Sequence, residues 1–298
     1  MNRLNPDTIF ERTIKALSEI SEHEHAIAPT GEGPLPSPEA LREIMDCVRT
    51  AIFPDFFDSR STCRSIRPSV ISVNIEKIHT LLSTEIIHGF RFDRHASCEF
   101  VNSRAENLAL KFIDCLPEIK RLLYTDVQAI YNNDPAADDY GEIILSYPVV
   151  TAMLHYRVAH ALLQLSIPVI PRILAELAHS ATGIDINPGA RIGSYFAIDH
   201  GTGVVIGQTC IIGDHVTIYQ GVTLGARNFS TDAGGHPLNT PRHPIIEDGV
   251  TIYSNASVLG RITVGRDSVI GGNVWLTESV PPKSRILQGR SPEKPSKK

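Results

Sequence analysis

The residues of this chain best suited to chemistry gather where a repeat breaks. Asp199-His200-Gly201-Thr202-Gly203 places a carboxylate and an imidazole side by side in a glycine-rich corner. A histidine near neutral pH can take a proton from a weakly acidic hydroxyl and return it later. It does so best when a carboxylate holds its other ring nitrogen. Asp185, fifteen positions upstream, is a candidate for that carboxylate; the plainer alternative is that Asp185 and Asp199 only cap turns. A second cluster is Pro241-Arg242-His243-Pro244. Its guanidinium fork suits a carboxylate, and the flanking prolines fix its presentation; the plainer alternative for Arg242 is a surface ion pair. Asp134, in Asn133-Asp134-Pro135-Ala136, reads by itself as an ordinary turn residue. His215 and His236 fall at turn or loop positions and read as solvated.

The elements that must position these residues announce themselves by a period of six. Aliphatic residues stand at 186, 192 and 198, slip by two, and resume at 206, 212, 218 and 224. They restart at 246 and run without a slip through 252, 258, 264, 270 and 276. Four places after most of them comes a second, often small residue, Ala190, Thr202, Cys210, Val216 and Ala256 among these. Six matches neither the 3.6 of a helix nor the alternation of a lone strand. It is the signature of a short-repeat parallel β-helix, three hexapeptides to a triangular coil. Stacking requires only aliphatics and turn residues, so an Asp-His pair at the two-residue slip stands outside that requirement. The same holds for Arg242, where the repeat re-enters after an insertion over 227–241 rich in glycine and proline, which predicts one extruded loop.

The first 182 residues are patterned differently. Phe10, Ile14, Leu17 and Ile20 share one helical face over Pro6 to Ile20. Ser37-Pro38-Glu39 reads as N-cap, N1 proline and acidic first turn of a helix towards Ala51. Further helices are expected over Ser69 to His88, Ser97 to Leu116, Pro117 to Tyr131, Tyr147 to Leu165 and Pro168 to His179. The predicted fold is therefore α+β: an all-helical domain over 1–182, a left-handed parallel β-helix over 183–288, and a short tail over 289–298. A helical block ahead of a solenoid is expected to cap its open strand edges or to join copies of the chain.

Composition narrows the classes of partner. A net charge of −5 gives no electrostatic footprint for nucleic acid. The basic end, Lys294 to Lys298, reads as a solvated tail. No run of about 18 apolar residues could cross a bilayer, and the polar opening 22 residues are not a signal peptide. The five cysteines are odd in number and scattered, with no metal-binding spacing; Cys210, on an inward position, reads as a small buried hydrophobe. A reducing cytoplasm is the expected compartment.

The motifs taken together resemble the serine O-acetyltransferases among the hexapeptide-repeat acyltransferases. They are Asn133-Asp134-Pro135-Ala136, Tyr156-Arg157-Val158-Ala159-His160, Asp185-Ile186-Asn187-Pro188-Gly189-Ala190, Ile198 to Gly207, Val222-Thr223-Leu224-Gly225, Arg242-His243-Pro244 and Ser279-Val280-Pro281-Pro282. They span roughly 126–282, in the family's order. The resemblance implies acetyl transfer from acetyl-CoA to the hydroxyl of L-serine, on the route to cysteine. It implies His200 as general base with Asp185 orienting it, Asp134 and Asp199 for the substrate ammonium, and Arg242 with His243 for its carboxylate. It implies coenzyme A in a groove between subunits near Gly225, Ala226, Gly271 and Gly272, and hence a homotrimer or a dimer of trimers. No metal is expected.

The chain also departs from that family. Tyr253-Ser254-Asn255 stands where the family pattern has Gly-Ala-Gly, and the loop before Arg242 is long. The family's C-terminal tail, whose terminal isoleucine docks into the next enzyme, has no counterpart before Lys298; a tight complex with the downstream sulfhydrylase is not expected. Acceptors other than serine stay open: homoserine differs by one methylene, worth only about 1–3 kcal/mol of discrimination, and a sugar hydroxyl would need the same base without Asp134 and Arg242. A metal-dependent hydratase would need three converging histidines, and His200, His215, His236 and His243 offer no convincing set. A pure scaffold would leave His200 without a purpose.

Overall fold

In the computed structural model, residues six apart along the repeat land on three parallel sheets in turn, and each set of three closes one triangular coil. The structure describes residues 5–27, 33–58, 64–92, 101–228, 231–232, 234–235 and 238–288; Cys63, Cys98, His236 and the tail 289–298 lie outside them. The strands are β1 Asp185–Ile186, β2 Arg191–Ile192, β3 Ala197–Asp199, β4 Val205–Ile206, β5 Ile211–Ile212, β6 Thr217–Tyr219, β7 Thr223–Gly225, β8 Ile245–Ile246, β9 Thr251–Ile252, β10 Ser257–Leu259, β11 Thr263–Val264, β12 Val269–Ile270, β13 Trp275–Leu276 and β14 Arg285–Ile286. The first sheet stacks β1-β4-β7-β10-β13, the second β2-β5-β8-β11, and the third β3-β6-β9-β12-β14.

Register follows the aliphatic period. Ile186, Ile206, Leu224, Val258 and Leu276 pair in one column. Ile198, Ile218, Ile252, Ile270 and Ile286 pair in another. Nearly all of these side chains are buried, because the second residue of each short strand points to the axis while its neighbour points out. Cys210 is buried among them, its thiol pushed up to about 12 by that burial, as a small hydrophobe should be. Ile186 finds its partner twenty positions on, at Ile206, whereas Ile206 reaches Leu224 after eighteen. The two additional residues fall in the corner that carries His200.

Nine helices precede the coils among the described residues: α1 Pro6–Ser18, α2 Glu22–Ile27, α3 Pro38–Ile52, α4 Pro54–Phe57, α5 Arg67–Phe92, α6 Val101–Asn133, α7 Tyr140–Ser146, α8 Pro148–Gln164 and α9 Ile170–Thr182. The Ser37 hydroxyl accepts the Ala40 N–H at 3.2 Å, so α3 opens with the expected cap. Two expectations change. Where separate helices were expected before and after Pro117, α6 runs unbroken through that proline to Asn133. The continuous buried stripe of Phe112, Leu116, Ile119 and Leu123 outweighs one lost backbone bond. Tyr140–Ser146, outside the helices expected, is helical because Asp139 caps it, its carboxylate accepting the Glu142 N–H at 2.8 Å.

The helical block closes the open end of the solenoid through α8. Tyr156 donates to the Ala190 carbonyl at 2.8 Å, and Arg157 to the Gly193 carbonyl at 2.9 Å. His160 Nδ1 lies 2.7 Å from the Pro188 carbonyl. Arg157 also forks onto Asp126 of α6 at 2.7 and 2.8 Å, and Asp126 accepts the Phe196 N–H at 3.2 Å. These bonds satisfy first-coil backbone groups that would otherwise face an apolar helix surface. By contrast Phe10, Ile14 and Leu17 of α1 are exposed, and α1 buries no residue against the rest of the chain. No described helix is long and apolar enough to cross a membrane.

Candidate active site

The corner between β3 and β4 is the one widened by two residues. His200, Gly201 and Gly203 there have φ of 57°, 88° and 78°, a run of left-handed backbone that needs glycine for most of its length. A side chain on Gly201 would press on Ile184 and Ile198. The corner therefore folds tightly underneath and pushes His200 outward, where its side chain is 75% exposed. Its Nε2 lies 3.9 Å from Asp199 Oδ1.

Asp134 arrives at the same corner from the helical block. It follows the last turn of α6, and Asn133 beside it donates to the Thr217 hydroxyl of β6 at 3.1 Å, tying the helix end to the second coil. Tyr147, between α7 and α8, donates its phenol to Asp134 Oδ2 at 2.6 Å, while the Ala136 N–H meets Oδ1 at 2.8 Å. These two donors, Tyr147 foremost, hold the Asp134 carboxyl below its ordinary range, with a smaller contribution from His200. The same bond pushes the Tyr147 phenol up to about 12. Tyr219 pairs with Asp199 in the third sheet. Its phenol is raised by burial first and then by Asp199, Tyr253 and Asp134. Tyr253 stacks on it with ring centres 5.0 Å apart. Asp134, Asp199 and His200 thus share one edge of the prism, with Tyr147 and Tyr219 between them.

Asp185 stands on β1 opposite Val205, just past this corner. Among the described residues no hydrogen bond or ion pair joins it to His200.

Arg242 and His243 lie at another edge, where the chain leaves the first sheet at β7 and enters the second at β8. Arg242 donates to Gln208 Oε1 at 3.1 Å and to the Thr240 carbonyl at 3.3 Å, so its guanidinium has no carboxylate partner among the described residues. His243 is only 7% exposed and sits against Gly207, where a Cβ would run into its ring. Its Nδ1 accepts the Thr209 N–H at 3.2 Å, and the Thr209 hydroxyl, which accepts the Arg242 and His243 N–H groups at 2.9 and 3.0 Å, has its proton free for Nδ1 at 2.9 Å. Nδ1 is therefore an acceptor and the ring neutral. Burial, aided by Arg242 and Arg261, lowers its pKa to about 4. Arg261 clamps the segment from below, donating to the Thr209 and His243 carbonyls at 2.7 and 2.9 Å.

Gly225 and Ala226 close β7 on the Arg242 edge, whereas Gly271 and Gly272 follow β12 on the His200 edge. Both pairs border the first sheet, from its two sides. A Cβ on Gly271 would come within 3.2 Å of the Ile286 carbonyl, and one on Gly272 within 3.2 Å of that of Ser254, so packing within the chain already favours glycine there. No group of three or more potential metal ligands gathers among the described residues.

Comparison with known proteins decides the family. The "Bacterial transferase hexapeptide (six repeats)" family matches residues 243–278. The protein named "Serine acetyltransferase, plasmid" from Synechococcus elongatus is 46% identical over 290 residues, 94% of this chain and 91% of that protein. The chain belongs to the serine acetyltransferases. Among solved structures, serine acetyltransferase isoform 3 of Entamoeba histolytica, in complex with cysteine, is 30% identical with a TM-score of 0.71, over 97% of this chain and 93% of the other. The serine acetyltransferase of Brucella abortus, in complex with coenzyme A, is 25% identical with a TM-score of 0.56, over 83% and 93%. The helical block followed by a left-handed parallel β-helix is the fold of this family.

Several residues around the candidate site of this serine acetyltransferase escaped the sequence. Tyr147 carries no motif by itself, and its contact to Asp134 depends on how α7 and α8 fold back. Thr209 and Arg261, which hold the Arg242 segment, look like ordinary turn and strand-end residues. Tyr219 alone had a usable signal: twenty positions on from Asp199, it had to fall beside it.

Proposed function

We propose that this chain transfers an acetyl group from acetyl-CoA to the hydroxyl of L-serine, giving O-acetylserine and free coenzyme A. The observation that carries this reading is the convergence of Asp134, Asp199 and His200 on one edge, two carboxylates beside one exposed imidazole. The carboxylates suit an ammonium group, and the imidazole suits the hydroxyl one carbon further along. His200 takes the hydroxyl proton as the oxygen attacks the thioester carbonyl; the new C–O bond forms, the C–S bond breaks, and His200 returns the proton to the departing sulfur. Asp185 is the carboxylate proposed to steady the imidazole while it is charged.

Arg242 completes the reading as the cation for the substrate carboxylate, above the neutral His243, whose remaining N–H is a donor for the same group. Because Arg242 and His200 occupy different edges of one prism, a complete site is proposed to form between copies. A triangular solenoid offers flat faces for packing about a threefold axis, so the assembly proposed is a homotrimer or a dimer of trimers. Acetyl-CoA would lie in the groove between copies along Gly225, Ala226, Gly271 and Gly272, in keeping with the related protein solved with coenzyme A. The 183–288 solenoid is then the catalytic unit, and the helical block over 1–182 contributes Asp134. The product belongs to cysteine biosynthesis in the cytoplasm.

The test is steady-state thiol release from acetyl-CoA with L-serine, L-homoserine and simple sugars as acceptors. Serine is expected to give the highest kcat/KM. A sugar preferred over both amino acids would overturn the assignment.

A further inference from the structure

We propose that Tyr147 is a positioning residue for substrate binding, holding Asp134 in the orientation that receives the ammonium group. The inference rests on the reading of Asp134 as the ammonium acceptor and extends it to a residue outside the solenoid. Its basis is the rigidity of the arrangement. Asp134 Oδ2 takes the Tyr147 phenol at 2.6 Å and Oδ1 takes the Ala136 N–H at 2.8 Å. Each oxygen has one donor and keeps a lone pair, so the carboxylate is fixed in rotation yet open to a cation.

Tyr147 is itself held from both sides. Its N–H donates to the Ile143 carbonyl at 3.1 Å as the C-cap of α7, and its carbonyl accepts the Val150 N–H at 3.1 Å as the N-cap of α8. Pro148 stiffens the junction. The phenol is thus presented by two helix ends rather than by a loop, and α8 is anchored to the first coil through Arg157. Position is transmitted from the solenoid to α8, then to Tyr147, and back to Asp134 at the solenoid edge. The phenol, pushed up to about 12, stays a donor throughout the working pH range.

The test is Tyr147→Phe, which keeps the ring and removes the donor. It should raise the serine KM about tenfold, the range of a hydrogen bond to a charged group only partly realised. It should leave kcat within about twofold. The KM for acetyl-CoA should not change. Without its donor the Asp134 carboxyl rises, so the carboxyl's own titration, followed by NMR of its labelled carbon, should move to higher pH. Asp134→Asn separates the two levels. If Asp134→Asn leaves the serine KM unchanged, the ammonium reading itself fails. If it raises KM while Tyr147→Phe does not, only the positioning role fails. In the double variant Tyr147→Phe should add nothing to Asp134→Asn; an equal added cost in both backgrounds would mark Tyr147 as merely structural and overturn the proposal. Should Tyr147→Phe not fold, 3-fluorotyrosine at 147 gives a stronger donor, and the Asp134 carboxyl should titrate at lower pH by NMR; an unmoved titration overturns the proposal equally.

Discussion

His200 and Arg242 leave the β-helix at different edges, His200 where the third sheet turns into the first and Arg242 where the first turns into the second. One copy therefore presents the proposed base and the proposed carboxylate-binding cation on opposite borders of a single face. Packing that face against a neighbour is the economical way to bring the two together.

Subunit mixing tests this arrangement. His200→Ala and Arg242→Ala should each be poorly active alone, yet coexpressed chains should recover activity, because some interfaces then pair an intact His200 with an intact Arg242. Light scattering should return a multiple of three chains. A mixture no more active than its parts, or a fully active monomer, would place the site within one copy.

The two residues should fail in different kinetic terms. His200→Ala is expected to lower kcat by about 10²- to 10⁴-fold, the usual worth of a positioned base, with little change in the serine KM. Arg242→Ala should raise that KM by roughly 10- to 150-fold, as loss of a charge-assisted pair of about 1.5–3 kcal/mol requires. Ethanolamine, which lacks the carboxylate, should react about equally with wild type and Arg242→Ala. Equal penalties for serine and ethanolamine would return Arg242 to a structural role.

His243 should titrate near pH 4 rather than near the ordinary histidine value. Its folded pKa lies below the unfolded one, so the unfolded chain binds the additional proton first. The stability tied to the neutral ring is present above about pH 6.5 and is lost as the pH falls towards 4. NMR of labelled imidazoles gives the titration directly, and urea unfolding between pH 7 and 4.5 gives the stability. Thr209→Val, which removes the hydroxyl serving His243 and Arg242, should raise the His243 pKa and the serine KM together.

Asp126 and Arg157 are almost entirely buried, with side chains 2% and 3% exposed. Asp126→Ala leaves a guanidinium without its carboxylate between α6, α8 and the first coil, and should destabilise the chain by about 3–5 kcal/mol. Denaturant titration measures that loss. A change below about 1 kcal/mol would mean that water replaces the carboxylate.

The coils, their register and the widened corner at His200 could all be read from the sequence, because stacking in a solenoid is local arithmetic. Each aliphatic meets the one about eighteen residues on, and a slip of two has to emerge as a wider corner. Counting strands from the same period also puts Arg242 and His200 on different edges. The partners of Asp134 were beyond such counting. Its position depends on α6 running through Pro117, on a capped α7 that no period announced, and on α8 docking to first-coil carbonyls through Tyr156 and Arg157. Those contacts join residues tens of positions apart with no fixed period, and they form only when apolar helix faces settle against one another. The same holds for His243, which only the resemblance paired with Arg242: burial against Gly207 and the Thr209 hydroxyl made it a neutral ring. Periodicity determines a repeating backbone, whereas the protonation and orientation of a side chain depend on whichever neighbours packing brings to it.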